Sequence, residues 1–162
     1  IDDADIVGVA LGSVLGTIKD TVDVMRERGV KIGVLGITCF RPWPSAAVRA
    51  ALSGAKRVVV LEKSLAVGLG GIVSNNVSAA YHGSADDVYT VVAGLGGRSI
   101  TRTSLTRVFD AAVDGTLEHL TFLDLDTSLV ERVLAREREQ RHTGPIAEGI
   151  LRDLGVVAAK IG

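Results

Sequence analysis

Two stretches of the chain repeat the same four residues, Gly68-Leu69-Gly70-Gly71 and Gly94-Leu95-Gly96-Gly97, and each stands between an apolar run and a helical pattern. That placement suits phosphate binding, because bare backbone N–H groups and the dipole of a following helix together attract an anion. Neither stretch completes a dinucleotide fingerprint. The residue three after Gly70 is Val73 and the residue three after Gly96 is Ser99, where a third glycine is needed for tight helix–strand packing. The competing reading is turn chemistry alone, with glycine chosen for positive φ. Arg98 follows the second stretch, and a guanidinium beside a helix N-terminus suits a carboxylate or phosphate. Gly94, Gly96, Gly97 and Arg98 therefore form the candidate cleft or anion loop, although the expectation for Arg98 itself is a surface or interface salt bridge.

The other reactive residue types offer less. His82, His119 and His142 stand far apart, with no cysteine or glutamate at metal-ligand spacing. Ser13, Ser64 and Ser74 lack the setting of a nucleophile elbow. Cys39 is the single cysteine, so neither an internal disulfide nor the thiolates of an iron–sulfur cluster can come from this chain. At the end of an apolar run it is expected to act as a small buried hydrophobe. Trp43, between Pro42 and Pro44, either plugs the domain edge or anchors a partner. No catalytic residue and no metal ligand is assigned.

The elements that must position these residues alternate strand with helix. Ile6 to Leu11, Lys31 to Ile37, Lys56 to Glu62, Val88 to Ala93 and Leu120 to Leu123 read as strands; the first is continuously apolar and the second repeats its pattern, which suits a parallel sheet covered on both faces. Between them lie helices over Val14 to Arg28, capped by Ser13, and over Ser45 to Leu52, Ile72 to Tyr81 and Thr103 to Val113. The fold class is α/β, an open and mostly parallel sheet with right-handed crossovers. Past Asp126 the character changes to a helical arm. Leu129, Val130, Val133 and Leu134 start a helix that runs into the charged stretch Arg136 to Arg141. Gly144-Pro145 then opens a second helix with Ile146, Ala147, Ile150, Leu151 and Leu154 on one stripe. The expected organisation is an α/β domain over 1–126 and a helical extension over 127–162.

The 162 residues suit one such domain with an arm, and 47% hydrophobic content supports a core. With 18 basic and 19 acidic side chains the formal charge is -1, so no strong field draws in nucleic acid or an anionic membrane. The apolar runs fall well short of the roughly 20 residues of a spanning helix, and no basic-then-apolar signal opens the chain. A cytoplasmic location is expected. Starting at Ile1 and entering an apolar run at once, the chain reads as an internal stretch of a larger polypeptide.

Several segments in succession carry a resemblance: Val9-Ala10-Leu11-Gly12-Ser13, Gly16 to Asp20, Arg26 to Leu35, Phe40-Arg41-Pro42-Trp43-Pro44, Lys56 to Lys63 and the two glycine loops. Over about residues 5 to 115 the chain resembles the second domain of 2-oxoacid:ferredoxin oxidoreductases, pyruvate:ferredoxin oxidoreductase above all. The resemblance implies a three-layer α/β/α sandwich related to the transketolase C-terminal domain. It also implies a whole enzyme that uses thiamine diphosphate, Mg²⁺ and iron–sulfur clusters to convert a 2-oxoacid and coenzyme A into an acyl-CoA, carbon dioxide and reduced ferredoxin. The family's Gly-Asp-Gly metal motif is absent here, and Asn75-Asn76 lacks the upstream aspartate, so no cofactor is expected in this chain. The expected role is non-catalytic: structure, assembly and cleft shape, with other domains or subunits of the oxidoreductase as partners and ferredoxin as partner of the whole. The alternatives are the equivalent domain of a 2-oxoacid dehydrogenase or transketolase-type enzyme, and a stand-alone nucleotide- or anion-binding module using the loop at Gly94.

Overall fold

The computed structural model describes residues 1–139. The apolar run Ile6–Leu11 becomes the interior strand β1, because a strand with neighbours on both sides and helices on both faces has no wet face. It pairs in parallel with β2 (Ile32–Ile37) and with β3 (Arg57–Glu62), so that Ile6 stands opposite both Ile32 and Arg57. β4 (Val88–Val92) and the short β5 (Leu120–Phe122) extend the sheet, giving the order β2-β1-β3-β4-β5 with every pair parallel.

Helices α1 (Val14–Glu27) and α4 (Arg102–Asp114) cover one face, and α2 (Ser45–Ala51) and α3 (Ile72–Ala80) the other. Alternation along β1 and β3 divides their side chains between the faces. Ile6, Ala10, Val59 and Leu61 meet Ile18 and Met25 of α1 and Leu105 and Phe109 of α4. Val7, Val9, Val58 and Val60 meet Val48 of α2 and Val77 of α3. Gly8 has a local reason: a Cβ there would lie 2.9 Å from Phe109 Cζ, so its absence lets α4 settle on the sheet. The result is the three-layer sandwich that the resemblance implied. Each strand and helix expected before residue 124 forms within one residue of its expected ends.

One topological expectation is overturned. α1 carries the chain from β1 to β2 on one face, while α2 and α3 carry it in the opposite direction on the opposite face, so these three connections share a hand. α4 moves the chain in the direction of α2 and α3 but lies on the face of α1, so the β4-α4-β5 connection has the opposite hand. The handedness rule comes from fitting a helix between two twisted strands. β5 offers only three residues at the sheet edge, opposite Thr90, Val91 and Val92, so the rule acts there on a short pairing.

Ile1–Asp124 forms one compact unit, and the described residues from Leu125 on belong to a second. In the second, α5 (Thr127–Glu139) starts at Asp126, whose carboxylate accepts from Leu129 N at 3.0 Å and Ser128 Oγ at 2.7 Å. Leu129, Val133 and Leu134 are exposed. The second arm helix expected after Gly144-Pro145 lies outside the described residues. Among those described, no helix is long and apolar enough to cross a membrane.

Candidate functional site

In a sheet of this order the chain leaves β1 and β3 in opposite directions, so a crevice opens at their carboxyl ends. A cleft of about 390 Å³ sits there. Its walls are Leu11 to Val14 after β1, Leu61 to Ser64 around the end of β3, Ile72 and Val73 at the start of α3, with Phe40, Ala93 and Ile100 closing it. The floor is mostly apolar, and Lys63 brings a charge to the rim.

Glu62 is the polar centre of this region. It ends a strand buried along its length and is itself only 6% exposed. A buried carboxylate is unfavourable unless its oxygens are hydrogen-bonded, and here they are: Val73 N donates to Oε2 at 2.9 Å, Ser74 N to Oε1 at 2.9 Å and Ser74 Oγ to Oε1 at 2.5 Å. Thr90 Oγ1 donates in turn to Ser74 Oγ at 2.8 Å. The positive end of α3 thus holds an anion, and that anion belongs to the chain itself. Gly71, the N-cap of α3, has an ordinary φ of -75°. It must be glycine because a Cβ would run into Glu62 Oε1. The first glycine loop therefore has no free helix end to offer a phosphate.

The second loop is built otherwise. Gly94, Gly96 and Gly97 all have positive φ, 74°, 64° and 76°, as the turn reading requires. Leu95–Gly97 forms a single 3-10 turn, and α4 starts later, after its N-cap Thr101, whose Oγ1 accepts from Ser104 N at 3.1 Å. Gly94 packs beside Lys63 and Ile100, two residues that line the cleft, whereas Gly96, Gly97 and Arg98 lie outside its lining. The salt bridge expected for Arg98 is not found among the described residues; its guanidinium donates instead to the backbone carbonyl of Asp124. The Asp124 carboxylate is already taken, accepting from Ser104 Oγ at 2.7 Å and Arg107 at 2.7 Å. Asp124 holds a positive φ of 56°, so this hub fastens loop, helix start and strand exit together.

Two further expectations change, those for Ser13 and Cys39. Ser13 stands at the N-cap of α1, but its backbone is αR and its hydroxyl caps no N–H. Cys39 is exposed instead of buried, because the chain leaves β2 at Ile37 and turns outward toward Pro42. Trp43 packs partly on the α2/α3 side of the core, edge-on to Phe40 at 5.9 Å, and its buried indole N–H finds no acceptor among the described residues. His119 stacks on Tyr89 at 4.9 Å, and His142 lies outside the described residues. Glu62 and Asp124 stand in none of the sequence motifs, and Ser74 entered only as a serine without a nucleophile elbow. The signal for Glu62 is a charged residue that closes a buried strand and is followed, about eight residues on, by Gly70-Gly71 and a helix.

A family model described as pyruvate:ferredoxin oxidoreductase core domain II matches residues 4–105. The chain belongs to that family. It is 37% identical over 137 residues to pyruvate synthase subunit PorA of Methanosarcina barkeri, a match covering 80% of this chain and 34% of that protein. PorA of Thermotoga maritima is 40% identical over 119 residues, covering 72% of the chain and 30% of the relative. Ketoisovalerate oxidoreductase subunit VorA of Pyrococcus furiosus is 34% identical over 112 residues, covering 68% and 28%. The chain thus spans about a third of the length of the relatives it matches. A solved 2-oxoglutarate:ferredoxin oxidoreductase from Magnetococcus marinus, with 2-oxoglutarate, coenzyme A and succinyl-CoA bound, superposes with a TM-score of 0.57 at 20% identity. It covers 70% of this chain and 18% of that one, and shows the shared fold.

Among the described residues, none is arranged to hold the cofactors that such an enzyme implies. Asn75 and Asn76 both lie in α3 and spend their amides on local backbone, donating to Leu69 O at 2.8 Å and Ile72 O at 2.6 Å. Among the described residues no group of three or more His, Cys, Asp or Glu side chains is placed to hold a metal ion. The one carboxylate beside the cleft, Glu62, has its oxygens committed to α3.

Proposed function

We propose that this chain is a non-catalytic structural and assembly domain of a thiamine diphosphate-dependent 2-oxoacid:ferredoxin oxidoreductase. The whole enzyme would take pyruvate or a related 2-oxoacid, coenzyme A and oxidised ferredoxin to an acyl-CoA, carbon dioxide and reduced ferredoxin, in the cytoplasm. The observation that carries the auxiliary role is the internal use of the α3 N-terminus: the feature best suited to bind a diphosphate is filled by Glu62. Family membership and the names of the relatives support the reaction. Thiamine diphosphate, Mg²⁺ and the clusters belong, on this reading, to other domains and subunits. The arm from Thr127 serves as a docking extension, which the exposed Leu129, Val133 and Leu134 support.

The loop from Gly94 to Arg98 leaves the carboxyl end of β4 beside the cleft, where ligands of open α/β sheets collect. We read it as one wall of a crevice shared with another domain. In the assembled enzyme Arg98→Ala is expected to impair kcat or the KM for the 2-oxoacid or CoA more than it lowers the melting temperature. Unchanged kinetics with a lowered Tm would reduce Arg98 to its structural bond with Asp124.

A further inference from the structure

We propose that the turn Ala66 to Gly70, together with Ile72, is a pre-formed docking knob that seats in an apolar, uncharged pocket on another domain of the same subunit, within the two thirds of the relatives' length that this chain does not span. This rests on the assembly role above and gives it a surface. Val67 is 103% exposed, Leu69 64% and Ile72 39%, three large apolar side chains within six residues. A contiguous exposed apolar patch on an ordered surface marks an interaction site.

The turn holds its shape without a partner. Ala66 and Gly70 exchange backbone hydrogen bonds of 2.9 and 2.8 Å, Leu69 N donates to Ala66 O at 3.0 Å, and Asn75 Nδ2 ties down Leu69 O. Gly68 and Gly70, at φ of 79° and 86°, make that backbone possible, and Gly71 is locked over Glu62. A knob ordered in advance loses little entropy when it docks. From Ser64 to Ile72 no side chain is charged, as at the buried centre of an interface. The amino end of the sheet contrasts, since its groove is ringed by Asp5, Lys31, Lys56, Arg57 and Asp87.

The choice of occupant follows from size. Separate proteins that associate stably bury roughly 1,200 to 2,000 Å² in total, more than three side chains supply. Docking within one polypeptide needs less, because the tether raises the effective concentration of the pocket.

The test uses the full-length subunit in its assembled enzyme, with p-benzoylphenylalanine in place of Val67, irradiated and mapped by mass spectrometry. Cross-links to an apolar segment of the same subunit outside residues 1–162 are expected. Val67→Asp with Leu69→Asp should lower the melting temperature of the full-length subunit and leave that of the 162-residue chain unchanged, because both side chains are already wet there. Cross-links to a second copy, to a different subunit or only within this chain would overturn the proposal, as would a full-length double variant that melts like wild type. Ferredoxin reduction by the wild-type enzyme with a 2-oxoacid is measured in parallel. Its absence sinks the functional reading, whereas its presence without the cross-link sinks only the knob.

Discussion

The two glycine loops share four identical residues and both leave the carboxyl edge of the sheet, yet they end at opposite solutions. At Gly68 to Gly71 the last glycine abuts α3, and the helix end is filled by Glu62 from the preceding strand. At Gly94 to Gly97 the helix begins five residues after the last glycine, is capped by Thr101, and the loop is held from outside through Arg98 and Asp124. Identical glycine strings therefore do not specify an anion site. What decides is which group already occupies the N–H field of the next helix, and that group sits outside the string.

The largest effect expected from breaking this contrast is at Glu62. Glu62→Ala removes the acceptor for Val73 N, Ser74 N and Ser74 Oγ together. Charged hydrogen bonds are worth about 1.5–3 kcal/mol each and are not additive, so a loss of about 3 kcal/mol in urea unfolding is expected. A loss below about 0.5 kcal/mol would mean that water replaces the carboxylate freely.

Gly71→Ala sharpens the comparison against Gly97→Ala. At Gly71 the φ is ordinary and only the carboxylate forbids a side chain, whereas at Gly97 nothing lies within 4 Å and only the φ of 76° resists. Gly71→Ala should cost about 2 kcal/mol by pushing Glu62 off its donors, and Gly97→Ala about 1 kcal/mol from left-handed strain. In the Glu62→Ala background the Gly71 effect should shrink, while the Gly97 effect should persist. Equal effects in both backgrounds would uncouple Gly71 from Glu62.

The fold was largely legible beforehand because Ile6 to Leu11 and Val58 to Leu61 are buried on both sides, and burial writes itself as an unbroken apolar run. The hand of the last crossover was not legible, since it depends on which face α4 chooses, and its apolar stripe fits either. Cys39 was misplaced for a related reason: its apolar neighbours describe β2, but the chain has already left the sheet at Ile37. At the site, the turn glycines announced themselves. The hydrogen bonds that fill or fasten each loop join residues 11 to 26 positions apart, Glu62 with Val73 and Arg98 with Asp124, and no local spacing encodes them.

The smallest effects concern the remaining helix starts. Thr101→Ala removes the side-chain cap of α4 and should lower stability by about 1 kcal/mol. Ser13→Ala, at a position whose hydroxyl caps nothing, should stay within about 0.5 kcal/mol of wild type. Equal losses at the two positions would show that hydroxyl contact with the helix N-terminus is not what separates them.

The claim on which the account turns is that this chain assembles an oxidoreductase without holding its cofactor. Isothermal titration of the 162-residue chain with thiamine diphosphate in the presence of Mg²⁺ tests it most directly. No saturable heat into the millimolar range is predicted, with Glu62→Ala titrated alongside to show whether vacating the α3 N-terminus creates an anion site. One-to-one binding to the wild-type chain at micromolar affinity or tighter would contradict the account.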